Sequence, residues 1–185
     1  MKVSNEKRAR IKSAGEVFTP LWIVENMCNL LPAHVFSTET TFLEPSCGDG
    51  NFLREILRRR LAHYLEKNGN PYTNALEALH PLYGIELQRE NVVQCRKLMQ
   101  AQLEGEFSDR FGATAHVPLK QRFVSTIKVI LEHNIIQANN LTDTPTVYKW
   151  EIKGDWIIGT PDTFETEGEF KIQPDTTKQI RKKFL

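Results

Sequence analysis

Thr41-Phe-Leu-Glu-Pro-Ser-Cys-Gly-Asp-Gly-Asn-Phe-Leu53 carries most of what this chain reveals about its fold. A short apolar run stops at an acid and a proline, crosses two glycines one residue apart, and opens into a helix. Gly48 and Gly50 let the backbone take dihedrals that a side chain forbids and let a ligand approach closely. A helix beginning near Asn51 aims its unpaired N–H groups and positive dipole end at the same place. Such a turn holds a nucleotide-like ligand at the C-terminal end of a first parallel strand. Glycine-rich tight turns of purely structural purpose use the same residues, so the turn alone is a weak signal.

The flanking sequence alternates in type. Thr19-Pro20 predicts a helix start, followed by Trp22, Ile23, Met27, Leu30 and Leu31 at helical spacing, with Pro32 as the stop. Thr41–Leu43 reads as the first strand. Phe52, Leu53, Ile56, Leu57, Leu61 and Leu65 line one face of a helix to about Glu66, which Asn68-Gly-Asn-Pro71 breaks. A short helix over Thr73–Leu79 leads to a second strand, Leu82–Ile85. A long helix follows from Arg89 to about Leu103, with Val92, Val93, Leu98 and Met99 inward. Beyond an irregular stretch from Gly105 to Pro118, Leu119–His133 has helical character and Asn134–Gln137 strand character. Thr146–Lys153 and Asp155–Gly159 are strand-like runs around Gly154, and Glu169–Ile172 is a short one. This alternation predicts an α/β sheet with right-handed crossovers.

The chain's 185 residues suffice for one ordinary core. Lys plus Arg total 24 against 23 Asp plus Glu, so overall charge does not announce a polyanion partner. Distribution says more: Lys2, Lys7, Arg8, Arg10 and Lys12 crowd the N-terminus, and Arg54, Arg58, Arg59 and Arg60 sit on the helix after the turn. Either group suits phosphate, and either also suits a solvated face. Cys28, Cys47 and Cys95 have no metal-type spacing. Neither do His34, His63, His80, His116 and His133, so no metal site is implied. With no span of the ~20 apolar residues a membrane helix requires, and no secretory signal at the N-terminus, the expected compartment is cytoplasmic.

Three segments in order, Gly15-Glu-Val-Phe-Thr-Pro20, the glycine turn, and Leu82-Tyr-Gly-Ile-Glu-Leu87, resemble the S-adenosylmethionine-dependent DNA adenine-N6 methyltransferases. The likeness is closest to the methylase subunits of restriction–modification systems, spans about Gly15 to Glu86, and fades beyond. It implies a Rossmann-like methyltransferase sheet after an N-terminal helical segment, with an incomplete set of strands. The chain is then either a truncated version of that fold, or a hairpin or a partner chain completes its sheet. The implied organisation is a basic arm over 1–14, a cofactor-binding domain over 15–164, and a short charged tail over 165–185.

The resemblance assigns S-adenosyl-L-methionine to Phe18, Thr19, Pro20, Glu44, Pro45, Cys47, Gly48, Gly50, Glu86 and Asn139. Glu86 would accept both ribose hydroxyls, the task of the strand-end acid in dinucleotide folds as well. Its distance from the first motif, a little under 40 residues, exceeds the roughly 20 of a compact unit. Glu44 would orient the turn, and Phe18-Thr19-Pro20 would close over the methionine portion. Cys47 would pack the loop and not act as a nucleophile. Asn139 stands where the family has an acid toward adenine, and an amide oxygen still accepts from the adenine amino group. Surface capping for Glu86 and core packing for Phe18 are the competing structural readings.

The family's catalytic signature is Asn or Asp, two prolines, then an aromatic, after a fourth strand. An amide oxygen and a carbonyl accept the amino N–H bonds of a flipped-out adenine while the ring stacks on it. Here Asp155-Trp-Ile-Ile-Gly159 would be that strand, and Thr160, Pro161, Asp162 and Phe164 the catalytic corner. Thr160 has no carbonyl on its side chain and Asp162 replaces the second proline. The stretch equally reads as a turn after a strand. Two functions therefore stand: methyl transfer to adenine N6 in DNA, or a catalytically inactive methylase-derived module that binds cofactor, DNA or protein. A second protein subunit would supply target recognition.

Overall fold

The computed structural model describes residues 19–37, 39–112, 117–164, 170–171 and 178–185. It is a mixed α/β fold with an N-terminal helical region and two small sheets. Helix α1 (Leu21–Cys28) and a 3-10 turn (Ala33–Phe36) precede strand β1 (Phe42–Glu44). Helices α2 (Asn51–Tyr64) and α3 (Pro71–Leu79) lead to β2 (Leu82–Glu86), and α4 (Arg89–Phe111) and α5 (Val117–Asn134) lead to β3 (Ile135–Gln137). These three strands form a parallel sheet in the order β1-β2-β3. Then come β4 (Thr146–Lys153), β5 (Trp156–Phe164), β6 (Phe170–Lys171) and β7 (Ile180–Lys183). They make a separate antiparallel sheet with β5 central, bonded to β4 on one side and to β6 and β7 on the other.

The expected parallel sheet is therefore present with three strands, and the expected fourth strand is not part of it. Gly154 closes a hairpin, so Trp156 onward returns along β4. The stretch between β3 and β5 that a crossover to a parallel fourth strand would need is instead spent on β4 and the tight turn at Gly154. The segment expected as a charged tail contributes β7, and Phe184 beyond it is fully buried.

Alternating side chains give β2 two different neighbours. A Cβ on Gly84 would fall 2.8 Å from Leu53 and 2.9 Å from the Cys47 sulfur, so α2 and its turn press on that face. Tyr83 points the other way, packs with Val147 and Ile136, and donates from its hydroxyl to the Tyr148 carbonyl at 2.8 Å. Helices cover one face of the parallel sheet and the antiparallel sheet leans on the other.

The joint between the sheets is polar. Asn134, fully buried at the end of α5, donates its amide to the carbonyls of His80 (2.8 Å) and Leu82 (3.0 Å). Its oxygen accepts from the Trp150 indole N–H at 2.7 Å. The indole in turn lies on Gly159, where a Cβ would sit 2.5 Å from the ring.

Several sequence expectations change. The apolar residues expected to anchor α1 are largely outside: Trp22, Met27, Leu30 and Leu31 are exposed, and Val24 and Cys28 are the buried positions. Pro20 caps α1 from just outside it, and the helix stops at Cys28 rather than at Pro32. α4 runs through the expected irregular stretch to Phe111, with Val92 and Met99 buried but Val93 exposed. Arg60, expected either to meet phosphate or to lie on a solvated face, is fully buried and donates to the Ala78 and Glu77 carbonyls at the end of α3. It acts as that helix's C-terminal cap.

Asn134→Leu removes three hydrogen bonds at nearly constant volume. The expected cost is about 3 kcal/mol or more, read in thermal unfolding as a Tm drop of roughly 6–12 °C. A loss under about 1 kcal/mol would contradict the role of this amide.

Candidate functional site

The turn after β1 is built by backbone constraint. Cys47 N–H donates to the Ile85 carbonyl and Gly50 N–H to the Cys47 carbonyl, both at 2.9 Å. Gly48 and Gly50 adopt φ of +55° and +92°. Gly50 is also the N-cap of α2, and a Cβ there would fall 2.5 Å from the Cys95 sulfur. Only glycine satisfies both conditions.

Glu86, at the C-terminal end of β2, reaches back to this turn. One carboxylate oxygen accepts from Gly48 N–H at 2.9 Å and the other from Gln88 N–H at 2.8 Å. A single side chain thus ties the β1 turn to the residue that opens α4, across 38 positions of sequence. Each oxygen retains a lone pair for a further donor.

The other expected cofactor residues gather partly around this edge. The Asn51 side chain donates to the Thr19 carbonyl at 3.1 Å, so Thr19-Pro20 is held against the start of α2. Glu44 ends β1 and accepts from Ser46 N–H at 3.3 Å. Burial pushes the Glu44 carboxyl above its ordinary range, against the opposing pull of that N–H. Pro45 is exposed. Ala138 N–H donates to the Glu86 carbonyl at 3.1 Å, which brings the chain after β3 alongside the end of β2. Asn139 follows, with its side-chain oxygen accepting from Leu141 N–H and its own N–H donating to Asp143. Phe18, together with the upstream Gly15 and Glu16, lies outside the described residues.

Cys47 is buried, and its hydrogen bond with Cys95, then burial, raises its thiol far above the usual value. It is a packing thiol at this edge. Asn51, Gln88 and Leu87 also stand at this edge, with no site role evident from the sequence. Leu87 is an exposed apolar side chain directly after Glu86. An apolar residue following a strand-end acid was the available signal for Leu87. Asn51 and Gln88 act through pairings that only the folded chain shows.

The expected catalytic corner is elsewhere. Thr160, Pro161 and Asp162 lie inside β5, paired with Lys149, Tyr148 and Val147 of β4. No turn follows Gly159, because the hairpin carries the strand on to Phe164. Thr160 Oγ1 accepts from the Gln179 side chain at 3.2 Å, and Pro161 and Asp162 are buried. Burial, and then the nearby Asp162 carboxylate, push the Tyr83 phenol above its usual value. Phe164 pairs through its backbone with Phe170, and its ring lies outside the described residues.

Two clefts lie away from the glycine turn. One, of about 430 Å³, is lined by Thr41, Arg60, Tyr64, His80 and Trp150 among others, near the N-terminal ends of β1 and β2. The other, an open groove of about 630 Å³, runs past His34, Phe36, Arg58, Arg59 and His63. Among the described residues no group of His, Cys, Asp and Glu suits a metal ion, and no helix is long and apolar enough to cross a membrane.

Comparison with protein-family models, with curated proteins and with solved structures found no match.

Gly50→Ala combines an unfavourable dihedral with a methyl driven into Cys95. We expect a loss of about 2–4 kcal/mol in denaturant unfolding. Adding Cys95→Ala recovers the steric part but not the dihedral part, so the double variant lies between. Equal stability of Gly50→Ala and the unaltered chain would contradict this geometry.

Proposed function

We propose that this chain is a methylase-derived module that binds S-adenosyl-L-methionine at the C-terminal edge of β1, β2 and β3. The observation that carries the reading is the Glu86 carboxylate held against the Gly48 N–H, beside the N-terminus of α2. Gly48, at a φ of +55°, carries the backbone past this edge with no side chain over its N–H, and this fits a ligand laid on the turn. The remaining Glu86 lone pairs suit a pair of ribose hydroxyls. Exposed Leu87 offers an apolar surface beside them for the adenine ring, and Asn139 an amide near its rim. The start of α2 and Thr19-Pro20 bound the other side. In this reading the chain is Rossmann-like in its cofactor half.

When bound, this cofactor supplies a methyl group on a sulfonium, a good leaving group. What the chain must then provide is an acceptor amine held in line with it. The resembled family does this for adenine N6 in DNA with a loop after a fourth strand. Here the corresponding residues are committed to β5: Thr160 to Gln179, and Pro161 and Asp162 to the sheet interior. That placement favours the inactive reading. DNA and a second protein subunit are the partners we propose for the module, the subunit supplying target choice.

Calorimetric titration with S-adenosyl-L-methionine tests the reading. Saturable binding is expected, weakened at least tenfold by Glu86→Gln and unchanged by Thr160→Ala. Absence of saturable binding, or indifference to Glu86→Gln in a folded variant, would remove the cofactor assignment. A labelled methyl-transfer assay on adenine-containing duplex DNA is expected to give no product with this chain alone. Product would restore Thr160 to Phe164 as a candidate catalytic segment.

A further inference from the structure

We propose that the outer face of the antiparallel sheet binds single-stranded nucleic acid, with Trp156 as the stacking platform. Residues paired across antiparallel strands point to the same face, and so do alternate residues along each strand. The register places Lys153, Trp156 and Lys183 in one row, Glu151, Ile158 and Arg181 in the next, and Lys149 with Thr160 after that; the following row, Val147 with Asp162, is buried against Tyr83 of β2, so the open part of the face ends at Lys149 and Thr160. Lys149, Lys153, Arg181 and Lys183 are all exposed. Trp156 is 41% exposed, whereas Trp150, on the opposite face, is buried and hydrogen-bonded.

The Arg181 guanidinium lies 5.7 Å from the centre of the Trp156 ring. Two carboxylates stand nearby: Glu151 pairs with Lys153 at 2.9 Å and Asp155 with Lys183 at 3.7 Å. Both pairs are solvent-exposed, and exposed pairs hold weakly enough to exchange for phosphates. Four exposed cations against two exposed carboxylates leave the open part of the face positive around an accessible aromatic ring, while Asp162 on the same face is buried.

Unpaired strands offer what this face lacks: phosphates for the lysines and arginine, and free base faces for the indole. A duplex hides its base faces within its stack, so charge complementarity joined to an exposed ring selects the single strand. RNA and DNA share this chemistry. The site is independent of the cofactor edge, so its failure would leave the proposed cofactor reading untouched.

Fluorescence anisotropy with labelled oligo(dT) and oligo(U) 15-mers, over a salt series, tests it. Binding is expected to fall steeply with salt and to weaken about tenfold in Trp156→Ala, with Trp156→Phe keeping most of it. Arg181→Gln and Lys183→Gln should each reduce the slope of log K against log salt by about 0.7. Trp22→Ala, which removes an exposed indole from α1, should bind as the unaltered chain does. Tighter binding of either oligomer supports the proposal and identifies the preferred sugar. No binding, equal binding by Trp156→Ala, or a duplex bound as tightly as the single strand would overturn it.

Discussion

The two sheets meet through one buried amide. Asn134 spends both its donors on carbonyls at the start of β2 and its acceptor on the Trp150 indole. Inside a protein such a group is costly unless every partner is in place. That condition fixes the end of α5, the entry to β2 and the register of β4 relative to both. Gly159 is bound by the same constraint, since the indole occupies the space its side chain would need. Once β4 is seated, the hairpin brings β5 back beside it, and the stretch from Thr160 to Asp162 is drawn into a sheet.

At the other end of the parallel strands a second polar tie shapes the candidate site. Glu86 joins the β1 turn to the start of α4 without burying a charge that lacks donors, because Gly48 and Gln88 both offer N–H groups. The neighbouring Glu44 accepts from one backbone donor, Ser46 N–H, and burial pushes its carboxyl up. The two strand-end acids thus have unlike environments, one stabilised by two backbone donors and one desolvated. In the proposed function a ligand with hydroxyls would meet the first.

The turn and the acid were legible because each rests on local chemistry. Paired glycines before a helical period mark a tight turn, and an acid after an apolar run marks a strand end, whatever the ligand. Register was not legible. Trp156-Ile-Ile-Gly159 has the composition of a buried parallel strand, and periodicity alone cannot separate that from the return arm of a hairpin. The Gly154 turn was the available hint. Arg60 misled for a related reason: on the sequence it extends a basic run, but its position on α2 faces the open carbonyls of α3. Trp22, Met27, Leu30 and Leu31 show the limit of helical spacing, because the buried side of α1 is set by Val24 and Cys28. The basic–aromatic face around Trp156 follows from pairings between 149–160 and 181–183, which no local pattern encodes.

The central claim is that the edge formed by Gly48, Gly50 and Glu86 receives an adenosyl ligand. Amide spectra of the nitrogen-15-labelled protein, titrated with S-adenosylhomocysteine, address it residue by residue. The expected result is a saturable shift of the Gly48, Gly50 and Gln88 amides with one common dissociation constant, because a ligand on Glu86 changes the bonds it makes to two of them. Unmoved amides at these three positions throughout the titration would contradict the claim.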